Sequence, residues 1–379
     1  MDLLQSVSSG PLGLFVGAIL GVLVSVMFED TLLNVRKYFG RRFRRIKAKF
    51  VVAVGREQEE ASPTFSIGHV DTPLLIVEGD GEQVIDEQRV SVRIEPRFVE
   101  VPDEVAAWAH EIGKEQDRLE AEGRQRFWNG KNYAVKGLTI SRTIDEERPE
   151  ICLQLQESDY FTFLATKDHE RHLSDGSTLR GKYIGDRDYE DVPPFMSSSF
   201  GTNVALISAD DQLIVARRSN HVGSRPGVWN SSANEAMSRD LDPDGRNPPD
   251  IYRVMRRGIR EELGVDEREY LLELLAISLD TDMHQWGALF VGTLRSMKGS
   301  EVIAKRSRGV ADKFENTELK LIPFDPDSVF RFIGEEWDRN MLAPHTPALC
   351  YLALVNKFGR RQVERKAERA LRSGRPRQV

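Results

Sequence analysis

The sequence predicts an α/β fold, fronted by a strand-rich region and preceded by a single transmembrane helix. Three observations predict it. Short runs that alternate or are continuously apolar, bounded by turn residues, recur between residues 65 and 294 and mark strands. Segments with apolar residues three and four apart, at 103–123, 251–263, 326–337 and 346–358, mark helices among those strands. Residues 11–28 form an uncharged apolar run.

That run is the first element. Its 18 residues, at about 1.5 Å each, reach roughly 27 Å, close to the hydrocarbon thickness of a bilayer. Asp2 is the only charge before it, and no cleavage-site pattern follows, so a retained helix is expected rather than a signal peptide. Arg36, Lys37, Arg41, Arg42, Arg44, Arg45, Lys47 and Lys49 all follow the span. Positive charge stays on the cytoplasmic side, which predicts a single-pass membrane protein with its N-terminus outside and the bulk of the chain cytoplasmic. The same basic run, with Tyr38, Phe39 and Phe43 interleaved, is expected to favour anionic membrane lipids over nucleic acid. Gly13, Gly17 and Gly21 make a stripe of small residues through which two copies could pair as a homodimer.

These features divide the chain of 379 residues into an anchor (1–35), a basic juxtamembrane segment (36–62), an N-terminal α+β region (63–199), a core domain (200–358) and a basic tail (359–379). The net charge of −7 says little, because the charges are segregated. Cys152 and Cys350 sit far apart in apolar contexts and read as core thiols rather than a disulfide. No Cys/His cluster has zinc spacing.

In the front region, 65–69, 73–78 and 89–95 read as strands. The helix 103–123 starts after Pro102, shows Val105, Trp108, Ile112 and Leu119 on one face, and stops at Gly123. Residues 133–140 and 151–155 are two further strands, and 180–200, charged and then rich in Pro and Ser, reads as a surface loop. In the core, 202–208 and 212–218 form a hairpin ending in Arg217 and Arg218. Side chains alternate along a strand, so one arginine should face each way, and a guanidinium near phosphates binds them bidentately. Asp250 caps the helix that begins beyond Pro248 and Pro249, and Ile251, Val254, Met255, Ile259 and Leu263 are its buried stripe. Strands at 271–278 and 286–294 follow. The tail 359–379 holds eight Arg or Lys against two Glu and reads as a basic helix suited to a membrane surface.

The chemistry concentrates in 226–265, a tryptophan-containing turn, a long polar loop and a short helix. Near the end of that helix Arg257 and Glu261 lie one turn apart with Glu262 beside them. Adjacent carboxylates repel, and a hard cation such as Mg²⁺ relieves them while also binding phosphate oxygens. Solvated Arg–Glu pairs on a helix surface are the alternative.

The run R-G-I-R-E-E-L-G-V, 257–265, resembles the tail of the Nudix box, Arg-Glu-apolar-x-Glu-Glu-x-Gly-apolar. It departs at one fixed position, where Gly258 stands for the first glutamate, and the upstream half of the box is replaced by the 229–235 turn and an insertion. Residues 127–133 and 155–161 resemble the segment preceding the box in the UDP-glucose diphosphatase type. The resemblance implies a Nudix-type α/β/α sandwich with a mixed sheet, and Mg²⁺ (or Mn²⁺) held by glutamates. Glu261 and Glu262 match the metal-binding pair. Glu315 matches a later catalytic glutamate, and Glu235 is a further candidate metal ligand. Arg217, Arg218, Trp229 and Tyr160 are the expected contacts to a nucleotide-type small molecule. Two functions follow. One is a membrane-anchored hydrolase cleaving the diphosphate of a nucleoside diphosphate linked to another moiety, such as a sugar. The other is a Nudix-fold sensor that binds such a ligand without turnover. An isoprenoid diphosphate isomerase ranks last, because the 230–235 turn has no cysteine.

Overall fold

The computed structural model describes residues 64–142, 148–185, 189–242, 249–312 and 315–372. The main sheet has eight strands in the order β13–β8–β7–β12–β11–β3, with β10 also paired to β7 and β9 to β8. After a two-strand ladder of β1 (Ser66–Ile67) and β2 (Val70–Asp71), the strands of the main sheet are β3 (Leu74–Glu78), β7 (Phe200–Ile207), β8 (Gln212–Arg218), β9 (Trp229–Asn230), β10 (Ala233–Ala236), β11 (Tyr270–Asp280), β12 (Gln285–Leu294) and β13 (Asn316–Pro323). The β7–β12 pair is parallel and the others are antiparallel, so the sheet is mixed.

Alternation along the central strands supplies two cores. Val204, Leu206 and Phe290 face one side, while Ala205, Ile207, Leu289 and Val291 face the other. On the first side lies α3 (Ile251–Gly258), continued by a wider turn over Ile259–Leu263, which buries Ile251, Val254, Met255 and Ile259. Asp250 caps it as its sequence position predicts, its carboxylate accepting from the Tyr252 N–H at 2.8 Å. On the second side lie α5 (Pro326–Asp338), α6 (His345–Phe358) and α7 (Arg360–Ala370). A shorter helix, α4 (Gly299–Ser307), closes against β13 and buries Val302; it carries too few apolar positions to be read from periodicity.

The front region also has a mixed sheet, β4 (Val90–Phe98), β6 (Pro149–Asp159) and β5 (Lys131–Arg142), flanked by α1 (Asp103–Ala121). Its inward residues, among them Val135, Leu153 and Leu155, share the first core with α3. β3 leaves this region and pairs with β11 at the edge of the main sheet. Tyr160, adjacent to a strand in the sequence, instead opens α2 (Tyr160–Thr166), because the Asp159 carboxylate caps it through the Thr162 N–H at 2.8 Å. Residues 189–200 are not a surface loop. Phe195 and Met196 are buried in a third cluster with Leu179 and Val192, and Ser197 and Ser198 are buried after them.

The membrane element of the expected fold class requires correction. Among the described residues no helix is long and apolar enough to cross a membrane. The longest, α1, is 19 residues but charged along its length. The most apolar, α6, has 14 residues, about 21 Å of rise against a hydrocarbon core of roughly 30 Å, and buries itself in the protein. The run 11–28, the Gly13, Gly17 and Gly21 stripe and the basic cluster 36–49 lie outside the described residues. Among the described residues a transmembrane helix is therefore no part of the fold. The single-pass topology, cytoplasmic placement, lipid partners and homodimer rested on it and are not carried into the functional reading. The basic C-terminal helix offers no replacement, since α7 spends its apolar positions, Val363 and Ala367, on the second core.

Candidate functional site

β10 and α3 meet where the main sheet is covered by the helix, and Gly258 lets them approach. A Cβ at position 258 would lie 2.8 Å from Glu235 Cβ and 3.2 Å from Met255 Cε. The space of a residue-258 side chain is thus taken by Glu235, which reaches over from β10. Its carboxylate meets the Arg257 guanidinium at 2.9 Å. Burial nevertheless pushes Glu235 up to about 8, outweighing that ion pair, and Glu315 and Glu261 add repulsion.

Arg257 is committed elsewhere than its spacing implies. It holds Asp242 with two hydrogen bonds, at 3.2 and 3.0 Å, while Glu261 lies 3.9 Å away. Glu261 is consequently the most open of the four glutamates, its side chain 30% exposed. Glu262 points inward and is 1% exposed. One of its oxygens accepts from the Asn234 N–H at 2.8 Å and the other from the Asn316 side chain. Glu315 follows a loop and precedes β13. It accepts from Asn234 Nδ2 at 2.8 Å and from Arg218 at 3.4 Å. Burial raises the Glu262 carboxyl well above the carboxylate range, with repulsion from Glu315 the next cause, and burial raises Glu315 as well.

Alternation on β8 separates the two arginines. Arg218 turns into the site, 9% exposed, and donates to Asn234 Oδ1 at 2.7 Å. Arg217 turns outward to the Gly227 carbonyl, at 3.1 Å, and to Glu318, at 3.9 Å. Trp229 is not brought to the carboxylates. It is 6% exposed, packed edge-on against Phe332 in the second core, with the Lys320 ammonium over its ring. Tyr160 stands between: it stacks on Phe163 and its hydroxyl faces Gly223, in the loop after β8. Its phenol is raised by burial and feels the charges of Arg218 and Glu315.

Sequence reasoning passed over Asn230, Asn234, Asn316, Asp242 and His345. The signal available was the spacing of Asn230 and Asn234 within a run of small polar residues and the Asn316 next to Glu315. The donor set suits a hard divalent ion in kind, being all carboxylate oxygen, and its raised carboxyls mark a cluster short of positive charge. Glu235, Glu261, Glu262 and Glu315 are the residues that would hold it. In the structure Asn and Arg donors meet the oxygens of Glu235, Glu262 and Glu315, and among the described residues no three acidic, His or Cys side chains are grouped closely enough to hold a metal ion.

No family model matches the chain. It is 29% identical over 112 residues to Nudix hydrolase 9 of Arabidopsis thaliana, an alignment covering 29% of this chain and 33% of that protein. The chain thus spans a third of the length of the curated relative it matches. Among solved structures it is similar to DR0079 from Deinococcus radiodurans, at 16% identity over 36% of this chain and 74% of that one, with a TM-score of 0.27. It is also similar to a MutT Nudix hydrolase from Burkholderia pseudomallei, at 17% identity over 34% and 84% of the two chains, with a TM-score of 0.23. Similarity of this kind is a partial likeness to Nudix proteins over about a third of the chain, and it names neither a subtype nor an activity for it.

Proposed function

We propose that this protein hydrolyses the diphosphate of a nucleoside diphosphate linked to another moiety, a nucleotide sugar being one such compound, with Mg²⁺ or Mn²⁺ as cofactor. The observation that carries the reading is the convergence of Glu262 and Glu315, from separate elements, on Asn234 of β10, with Arg218 on both Asn234 and Glu315 and with Glu235 beside them on Arg257. Elements distant in sequence do not bury mutually repelling carboxylates around an arginine for stability, since each raised carboxyl is a cost to folding.

When bound, the divalent ion would supply a Lewis acid that offsets charge on the diphosphate and lowers the pKa of a water. Glu261 and Glu262, with Glu235 in place of the carboxylate that Gly258 lacks, would hold it. Arg218, a fixed cation at the same point, would bind a phosphate oxygen and neutralise charge that grows on it. Glu315 is the residue we assign to taking the proton from the attacking water, because its raised affinity for a proton suits a general base working near neutrality. Tyr160 and the loop it touches would border the nucleoside side.

The second reading, a binding module without turnover, has one observation in its favour: both oxygens of Glu262 are already satisfied by Asn234 and Asn316. One experiment separates the two. The full chain is incubated with nucleotide sugars, ADP-ribose and dinucleotides in Mg²⁺ or Mn²⁺ and followed by phosphorus NMR. Turnover that falls at least 100-fold in Glu262→Gln is the expected result, in line with the size of a lost charge-stabilising group. Ligand-dependent thermal stabilisation without products would replace the hydrolase by the sensor.

A further inference from the structure

The buried amides around the carboxylates have an order that can be worked out donor by donor. Arg218 has no acceptor, so the oxygen it touches in Asn234 is fixed as Oδ1. Asn234 Nδ2 is then turned to Glu315, at 2.8 Å. Asn234 Oδ1 also receives a hydrogen bond from Asn230, at 2.8 Å, which must come from Nδ2. That leaves Asn230 Oδ1 facing Nε2 of His345, and an amide oxygen facing a ring nitrogen requires the nitrogen to carry the proton. His345 opens α6, is half-buried, and is pushed down to about 3 by its burial, with Arg225 and Arg218 adding to the effect. It is a neutral imidazole held as the Nε2–H form. The backbone N–H of Asn234 meanwhile donates to Glu262 at 2.8 Å.

We propose that Asn234 is the positioning residue of this site. Its side-chain amide and its backbone N–H fix Glu315, Glu262 and Arg218 relative to one another, and its own orientation is set from α6 through His345 and Asn230. A single residue near the start of β10 thereby ties together β8, the wide turn after α3 and the residue before β13, and through Asn230 it reaches the start of α6. Its side chain and its backbone N–H together reach three charged groups, Arg218, Glu315 and Glu262. The inference rests on the metal-dependent reading above and deepens it, for a residue that orients carboxylates sets how well they bind an ion without binding it itself.

Mn²⁺ alone, titrated calorimetrically into the full chain, tests it. Asn234→Ala is expected to weaken Mn²⁺ binding roughly 10- to 100-fold, the usual effect of losing a group that orients a ligand. Asn230→Ser, which cuts the relay one step away and leaves the Asn234 backbone contact in place, should shift affinity in the same direction and serves if Asn234→Ala does not fold. Nitrogen-15 NMR of histidine-labelled protein should find His345 in the Nε2–H form. Mn²⁺ affinity within twofold of wild type in folded Asn234→Ala, or an Nδ1–H signal from His345, overturns the positioning role and leaves the hydrolase reading standing. Failure of the wild type to take up Mn²⁺ overturns both.

Discussion

Glu235 stands where a side chain at 258 would be, so the two positions are coupled, and a glutamate at 258 could not be added without displacing the one from β10. The exchange has a consequence for pH. Glu235 binds its proton more tightly in the folded protein, at about 8, than in the unfolded chain, near 4.5. Its contribution is therefore fully present below about pH 4.5 and is lost as pH rises through 8. Glu235→Gln, which cannot ionise, is expected to be more stable than wild type at pH 9 by ~2–4 kcal/mol in EDTA, with the advantage gone near pH 5. Thermal melts of both proteins across that range check it, and parallel profiles would show that Glu235 ionises freely.

At the scale of elements, the loop between β8 and β9 is the part that joins the front region to the site. Lys167, just after α2, donates to the Gly223 carbonyl at 2.5 Å, and Arg225 pairs with Asp280 at 2.5 Å. A Cβ at Gly223 would fall 1.9 Å from the Tyr160 hydroxyl, so the loop and α2 fit only because residue 223 has no side chain. Gly223→Ala is expected to cost ~1–3 kcal/mol through overpacking. The cost should shrink in a Tyr160→Phe background, which removes the clashing oxygen. A double-mutant cycle on urea midpoints reads the coupling directly. Additive effects would mean that the loop yields without pressing on α2.

Over the whole molecule, the two ends of the described chain close on each other. Leu371 is fully buried, its carbonyl accepts from the His69 N–H at 3.1 Å, and a Cβ at Gly68 would meet that carbonyl oxygen at 2.2 Å. Gly68 has φ +63, so glycine answers both the turn and the close approach. The C-terminal helix is accordingly part of the core rather than a tail. Leu371→Ala should cost ~2–5 kcal/mol, the range for a large side chain removed from a packed interior. Urea unfolding would show this as a lower midpoint at unchanged slope. A midpoint shift below the error of the measurement would make the terminal helix an ornament on an independent fold.

Much of this was legible from local pattern. Asp250 and the apolar stripe behind it dictated α3, since a cap and a 3.6-residue period depend only on neighbours in the chain. The Glu261–Glu262 pair could be named, and the hairpin could be said to send Arg217 and Arg218 to opposite sides, for the same reason, whereas Glu315 was named only through the resemblance to the Nudix pattern. Which of the two faces the carboxylates, what Arg257 grips, and that Trp229 is sealed in a core were decided by the tertiary structure. So was the place of Asn234, because a side-chain amide acquires its role only from the groups that other elements bring to it. Local sequence determined which elements form and what each could offer chemically. Packing alone determined which of those offers meet, since the direct contacts among the site's charges join residues up to 97 positions apart.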